Sequence, residues 1–588
     1  MKDHTIVFNT CPKTFTLDQD KALSPEETIA RFHARLDSLD MKILSDVKRI
    51  DNGRLDIPVY FSVCGEDAVS VIGTKKQMGK GASPAQAKAS ACMELAERFS
   101  FFAFKNNQAN FLTGDYASMQ AQGYPVLDLE YLLLSVHDHN TDTATLKMLL
   151  ADIPMQWTWA THISENRQIL LPFSWFYAIN EFNGPSAGNT FEEAALQGIC
   201  EIVERHVCSL VSNRHLATPL IDQQTVKDPV ARELLDKIEK NGIKLYLNDF
   251  SLDTGICTVA ALAVDPATFP EKSEIVFTAG TTPDAEKAII RAVTEVAQLA
   301  GDFNSHSNYV ASGLPKPLTL EEVDYVISSG LTTSVPEMST LADNDIKVEV
   351  ENCINSLKKI ELDVFMIDVT HEKLQIPALY TVIPGAHFRE RSMMQSAGLF
   401  AAKLLVELVD DPHTVEDKLD SMDTLLPDSY FIEFYRGRNL FNLGLHQESL
   451  VFFEKSLALK PLQEDLPYIL SYQGNALSKL GYYDEAIAVL KSGCLEDNER
   501  PDLHNLLGVC YFKKEMYKEA IESFTRAVDL DPTSAMDYAN LGVNYSRLGK
   551  NEEAKQFFTL ALTLDPSLEF AREYLQRLTE TPGNSSAG

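Results

Sequence analysis

Six glutamates recur in a common frame. In SAGNTFEEAALQGICEIVER, residues 186–205, Glu193, Gln197, Glu201 and Glu204 fall at i, i+4, i+8 and i+11, so at helical pitch they share one face. Carboxylates stacked on one face repel by a few tenths of a kcal/mol per exposed pair. No lysine stands among them, and the run ends in Arg205. Such a face suits the holding of cations. A second copy runs from Gly81-Ala82-Ser83 through Ala87, Ser90, Ala91, Glu94, Glu97 and Arg98. It matches, at identical spacing, Gly188-Asn189-Thr190, Ala194, Gln197, Gly198, Glu201, Glu204 and Arg205. A third keeps the helical half: Ala288, Arg291, Ala292, Glu295 and Gln298. In each, small residues suit close packing against a neighbour while the polar set faces a shared site.

Glu94, Glu97, Glu193, Glu201, Glu204 and Glu295 offer hard oxygen ligands without His or Cys, which points to Mg²⁺, Mn²⁺ or Ca²⁺ rather than zinc. Mg²⁺ is commonly shared with substrate phosphates, which fits a nucleotide site. The turn Ser186–Thr190 would offer backbone N–H groups and a helix N-terminus to a phosphate, and Arg205 and Arg291 would supply fixed positive charge. The competing reading is a structural network of buried Glu–Arg pairs. It accounts for the arginines and leaves carboxylates in excess. Neither a GxxxxGK[ST] loop nor a kinase HRD and DFG pair occurs, so ATP binding would lie outside those two families.

These helices need a framework. A helix is expected over 25–39, with Ser24 as N-cap and Pro25 in the first turn. Candidate strands Leu55–Cys64, Ile169–Ile179, Ile243–Phe250, Thr258–Val264, Glu274–Thr278, Asp363–Val369 and Ala378–Ile383 alternate with helices at 84–104, 191–211, 284–301 and 391–408. That interleaving predicts one large α/β domain. Residues 409–428 are acidic, with Pro412 and Pro427, and read as a linker. Beyond it the pattern is helical with a 34-residue period: Gly508, Tyr511, Ala520, Phe524, Ala527 and Pro532 recur as Gly542, Tyr545, Ala554, Phe558, Ala561 and Pro566. Weaker copies hold Gly474, Gly481, Ala486 and Leu490, and Gly437, Gly444, Phe453 and Pro461. This spacing resembles the tetratricopeptide repeat, with four repeats and a final helix 568–578 stacking into a solenoid. The expected organisation is therefore an N-terminal segment 1–60, an ATP- and Mg-binding domain 61–408, a linker 409–428, repeats over 429–580 and a disordered tail 581–588. The overall class is α+β.

The chain has 588 residues and a formal net charge of −32, which argues against nucleic acid as the main partner but not against ATP met through Mg²⁺. No apolar run reaches the ~18 residues that span a bilayer. The N-terminus shows no signal-peptide pattern. The nine cysteines lack CxxC spacing and read as reduced core thiols of a cytoplasmic protein.

The motif SAGNTxxEAxxQGxxExxER, with an upstream SAxxExxER and a downstream RAxxExxQ, resembles the YcaO family, and Lys21 and Thr28 in KALSPEETIARF resemble its N-terminal segment. Members use ATP and Mg²⁺ to activate a peptide amide, giving azolines, amidines or thioamides. The resemblance implies that Lys21, Thr28, Ser90, Ser186, Asn189, Arg205 and Arg291 contact ATP, while the six glutamates surround the metal ions. It identifies no general base. Azoline-forming members typically end in a PxPxP tail; this sequence ends NSSAG after its repeats. That favours the stand-alone type, whose best-known member assists ribosomal-protein β-methylthiolation with a radical methylthiotransferase partner. The expected function is such an accessory factor, with the repeats binding the methylthiotransferase or a peptide substrate. The alternatives are peptide-amide activation and a non-catalytic repeat scaffold. Monomer and homodimer stay open.

Other residues take structural readings. His206 falls off the glutamate stripe and reads as a packing or surface residue. Cys200 and Cys208 read as small core residues. His387-Phe388-Arg389-Glu390-Arg391 reads as a salt-bridged loop, and Trp157, Trp159 and Trp175 as core or interface.

Overall fold

The computed structural model describes residues 5–73, 77–305, 309, 311, 313–389 and 396–580. The chain divides into two compact units, Met1–Ala397 and Gly398–Gly588.

The described residues of the first unit form three sheets. The smallest is antiparallel: Leu44–Arg49, Val59–Cys64, Gln77–Lys80. The second runs Val276–Thr282, Cys257–Val264, Lys244–Asp249, Leu220–Ile221, Thr332–Thr333, with its last pair parallel. Cys257–Val264 is buried at every position, as a strand covered on both faces must be. The third runs Leu112–Gly114, Met155–His162, Phe365–Asp368, Ala378–Val382, Pro185–Ala187, with Arg167–Pro172 also paired to Met155–His162.

Each sheet carries one of the three motif helices, and small residues set the approach. Pro84–Asn106 lies on the first sheet, where a Cβ on Gly79 would stand 2.2 Å from the Ala87 carbonyl oxygen and the Ala91 nitrogen. Ala285–Ala300 lies on the second, where a Cβ on Gly280 would stand 2.5 Å from the Ala292 nitrogen. Phe191–Arg214 lies on the third, where a Cβ on Gly198 would stand 2.3 Å from Thr381 Oγ1. Backbones this close leave no room for a side chain, which is why the motif alternates small and polar residues. Ser83, Thr190 and Asp284 cap these helices by accepting from Gln86, Glu193 and Lys287 amides.

Three elements differ from expectation. The stretch 169–179 divides into the strand Arg167–Pro172 and the helix Phe173–Asn180. That helix is apolar on nearly every side and almost wholly buried, so periodicity could not separate it from a buried strand. The acidic stretch 409–428 holds a helix, Pro412–Leu425, capped by Asp411. Its Val415, Leu419 and Met422 form a narrow buried stripe hidden in an acidic composition. The strand expected at Glu274–Thr278 lies at Val276–Thr282.

The described residues of the second unit are helical. Four antiparallel pairs follow: Tyr430–Asn442 with His446–Ala458, Leu466–Leu480 with Tyr483–Glu496, Pro501–Lys513 with Tyr517–Leu530, and Ala535–Arg547 with Asn551–Leu564, closed by Glu569–Glu580. The period has a packing cause. Gly437, Gly474, Gly508 and Gly542 face Phe453, Leu490, Phe524 and Phe558, and a Cβ on any of them would fall within 2.9 Å of that side chain. The tail expected over 581–588 lies outside the described residues.

Candidate functional site

The polar faces of the three motif helices meet around one cavity of about 250 Å³. Ser90, Glu94, Glu97 and Arg98 come from the first helix, Glu193, Gln197, Glu201, Glu204 and Arg205 from the second, and Arg291, Glu295 and Gln298 from the third. Lys21 and Thr28 close it from the N-terminal segment, Gly188 and Asn189 from the turn, and Lys80 from the first sheet. The structure thus brings together every candidate ATP or metal residue read from the sequence except Ser186. That side chain is fully buried and donates its hydroxyl to the Ala194 carbonyl at 2.8 Å, so it fixes the turn to the central helix instead of facing the cavity.

The turn and the N-terminal segment are tied by Glu193. Its Oε1 accepts from the Ala22 amide at 2.6 Å, and its Oε2 accepts from the Asn189 amide at 2.8 Å and from Asn189 Nδ2 at 3.1 Å. Asn189 Nδ2 also donates to Thr28 Oγ1, and Arg31 donates to the Asn189 carbonyl, both at 2.9 Å. Glu193 is 3% exposed with both oxygens engaged, which makes it a positioning group for this wall.

The other carboxylates sit beside cations. Arg98 Nε lies 3.5 Å from Glu97, Arg205 Nη2 lies 3.7 Å from Glu201, Arg291 Nε lies 4.0 Å from Glu204, and Lys80 is ion-paired with Glu295. Arg291 also donates to Gln197 at 2.9 Å. Burial raises the Glu94 carboxyl above its ordinary range despite Arg98 and Lys80, and raises Glu97 well above it despite Arg98. Burial, helped by Arg291, lowers the Lys80 ammonium to about 7.

Among the described residues, no three carboxylate, imidazole or thiol groups stand close enough together to enclose a metal ion. Two observations nevertheless suit a cation. Glu204 Oε2 is buried and takes no hydrogen bond. Among the described residues, six carboxylates line the cavity, hard oxygen donors of the kind a divalent ion takes. A divalent ion would bring in the positive charge that the raised carboxyls lack.

Sequence reasoning missed Lys80. Its signal was Met78-Gly79-Lys80-Gly81, two glycines flanking a lysine just ahead of the first motif. His206 is buried and not on the surface; it accepts at Nδ1 from the His387 amide at 3.0 Å. His387 stacks on His137 at 3.7 Å and on His206 at 5.4 Å. The loop expected to be salt-bridged at 387–391 lies partly outside the described residues; within them, Arg389 donates to the Ala311 carbonyl. Cys200 and Cys208 are buried thiols that burial raises, consistent with core packing.

Three motif helices, each on its own sheet and sharing one acidic cavity, mark the domain type. Residues 78–387 match the family model described as YcaO cyclodehydratase, ATP- and Mg²⁺-binding. The chain belongs to the YcaO family, and its cofactors are ATP and Mg²⁺. Residues 501–534 and 538–568 match tetratricopeptide-repeat models. An uncharacterized protein of Methanothermobacter thermautotrophicus is 27% identical over 62% of this chain and 94% of its own length. The Escherichia coli ribosomal protein S12 methylthiotransferase accessory factor YcaO is 23% identical over 74% of this chain and 77% of its own length. A heterocyclase solved in complex with substrate and cofactor shares the fold, with a TM-score of 0.53 and 22% identity over 69% of this chain and 57% of that one. No helix among the described residues is long and apolar enough to cross a membrane.

Proposed function

We propose that this protein is an ATP- and Mg²⁺-dependent accessory factor for β-methylthiolation of a ribosomal protein, acting with a radical methylthiotransferase that docks on its repeats. The observation that carries this reading is the similarity to the Escherichia coli accessory factor. It covers 74% of the chain, more than residues 1–397 amount to, so it runs beyond the first unit. The repeats supply the protein-binding surface that such a role needs.

At the cavity, Arg205 and Arg291 would meet phosphate oxygens. Glu94, Glu97, Glu201, Glu204 and Glu295 would hold Mg²⁺, with Glu193 fixing the wall formed by Asn189, Thr28 and the N-terminal segment. Lys21 and Ser90 line the same cavity and would contact the nucleotide. Bound ATP would supply a phosphoryl group, which on the second reading below would turn an amide oxygen into a leaving group.

The family description as a cyclodehydratase favours a second reading, direct activation of a peptide amide towards an azoline or thioamide. Intact-mass analysis of ribosomal proteins from cells with and without the gene separates the two. Loss of the methylthio mass from ribosomal protein S12 in the deletion strain is the expected result. An unchanged S12, together with a peptide whose mass changes, would favour amide activation.

A further inference from the structure

We propose that Lys80 is a phosphate-binding residue of the nucleotide site, paired with Glu295 across the cavity and exchanging that partner for phosphate oxygens when metal and nucleotide bind. This rests on reading the cavity as the ATP and Mg²⁺ site.

The backbone leaves Lys80 little choice of direction. Gly79 faces the first motif helix so closely that its hydrogen meets the Ala87 and Ala91 backbone, so its strand neighbours Met78 and Lys80 turn the other way, into the cavity. Gly81 is pressed against Gln86 and Ala87 in the same manner, which fixes the chain on both sides of the lysine. The side chain is 18% exposed, and its ammonium stands in the combined field of Glu94, Glu204, Arg205 and Arg291 as well as against Glu295.

The pairings around it differ in kind. Arg98 and Arg205 each face a glutamate of their own helix, one and four residues away, so these pairs move as units. Lys80 and Glu295 join a strand to a helix of a different sheet. A divalent ion competes for Glu295 with twice the charge of an ammonium. Once displaced, Lys80 is a compact cation on a flexible stem with three donors, suited to phosphate oxygens. The arginines supply planar, fixed contacts; Lys80 supplies the movable one.

Isothermal titration of the full chain tests this without turnover. The titrants are Mg²⁺ alone and a non-hydrolysable ATP analogue with Mg²⁺. Lys80→Met should weaken the analogue about tenfold or more while leaving Mg²⁺ alone bound as tightly as in the wild type, or more tightly. Lys80→Arg should bring nucleotide binding most of the way back. Wild-type nucleotide affinity in Lys80→Met would overturn the proposal. Equal weakening of Mg²⁺ and nucleotide would do the same, as the mark of a collapsed wall. Should Lys80→Met not fold, Glu295→Gln decides: with divalent ions chelated, the freed ammonium should bind the analogue more tightly than wild type, and equal or weaker binding overturns the role. A wild-type chain that binds no nucleotide removes the ATP reading itself. A wild type that binds, beside an unchanged Lys80→Met, removes only the role of Lys80.

Discussion

Glu193 accepts the Ala22 amide at 2.6 Å across a sequence separation of 171 residues, and so anchors the N-terminal segment to the central motif helix. Its other oxygen takes two hydrogen bonds from Asn189. Glu193→Gln would set an amide donor against N–H groups that need an acceptor, at a cost of about 1–3 kcal/mol for the unsatisfied group. Lys21 and Thr28 ride on the same segment. The expected outcome is a lowered melting temperature and nucleotide affinity, with affinity for Mg²⁺ alone changed far less. Calorimetry reads both, and a selective loss of Mg²⁺ binding would return Glu193 to the ligand set.

Glu201 and Arg205 face one another one turn apart on the cavity wall, 3.7 Å between Oε1 and Nη2. A ligand at one hundred times its dissociation constant stabilises the native state by about 2.7 kcal/mol. MgATP should therefore raise the melting temperature of the wild type, and Glu201→Ala and Arg205→Ala should each abolish that rise. A thermal-shift titration with and without Mg²⁺ checks it. Either variant keeping the full shift would place the site elsewhere.

The three-helix frame was legible because its residues lie at fixed spacings. Ala87 and Ala91 pack under Gly79, and Ala288 and Ala292 under Gly280, so the sequence displayed the small residues that close packing demands. What it did not display was how each polar group is spent. Ser186 and Glu193 sit in the motif like their neighbours, yet one bonds the Ala194 carbonyl and the other bonds Ala22 and Asn189. Ala22 lies far away in the chain, and Asn189 and Ala194 are reached only through the fold of the turn, so spacing along one helix says nothing of them. Lys80 escaped for a related reason: it lies on a strand, outside any helical period, and only the packing of its flanking glycines aims it at the cavity. The acidic stretch at 409–428 misled because three buried residues suffice for a helix stripe when the other face is solvated.

Metal binding should be pH-dependent in a definite direction. Burial raises Glu94, and raises Glu97 well above the ordinary carboxylate range, so these groups hold their protons to higher pH than free carboxylates do. A metal ion requires the ionised forms. Mg²⁺ binding should therefore release protons, and its affinity should strengthen as pH rises out of the acid range. Titrations in two buffers of different ionisation enthalpy count the protons released. Glu97→Gln should lower that count, and a binding enthalpy independent of buffer would contradict the assignment.

The histidine stack gives stability a pH dependence of the same sign. His387 lies between His137 and His206, and burial lowers His137 and His206 to about 4 and His387 to about 3. Their folded values lie below the ordinary value of about 6.5, so below that pH the unfolded chain binds more protons than the folded one. The resulting stability is fully present above pH 6.5 and is lost as pH falls towards 4, with a slope of about 1.4 kcal/mol per pH unit for each proton. Glu94 and Glu97 act the other way, losing stability as pH rises, so the comparison must be between variant and wild type at each pH. His387→Gln removes one titrating ring and the stacking partner of two others. Denaturant unfolding followed between pH 4 and 6.5 should show a shallower fall for this variant than for the wild type, by up to one proton's slope for the ring removed. Parallel curves would mean that the three rings are already protonated in the folded chain.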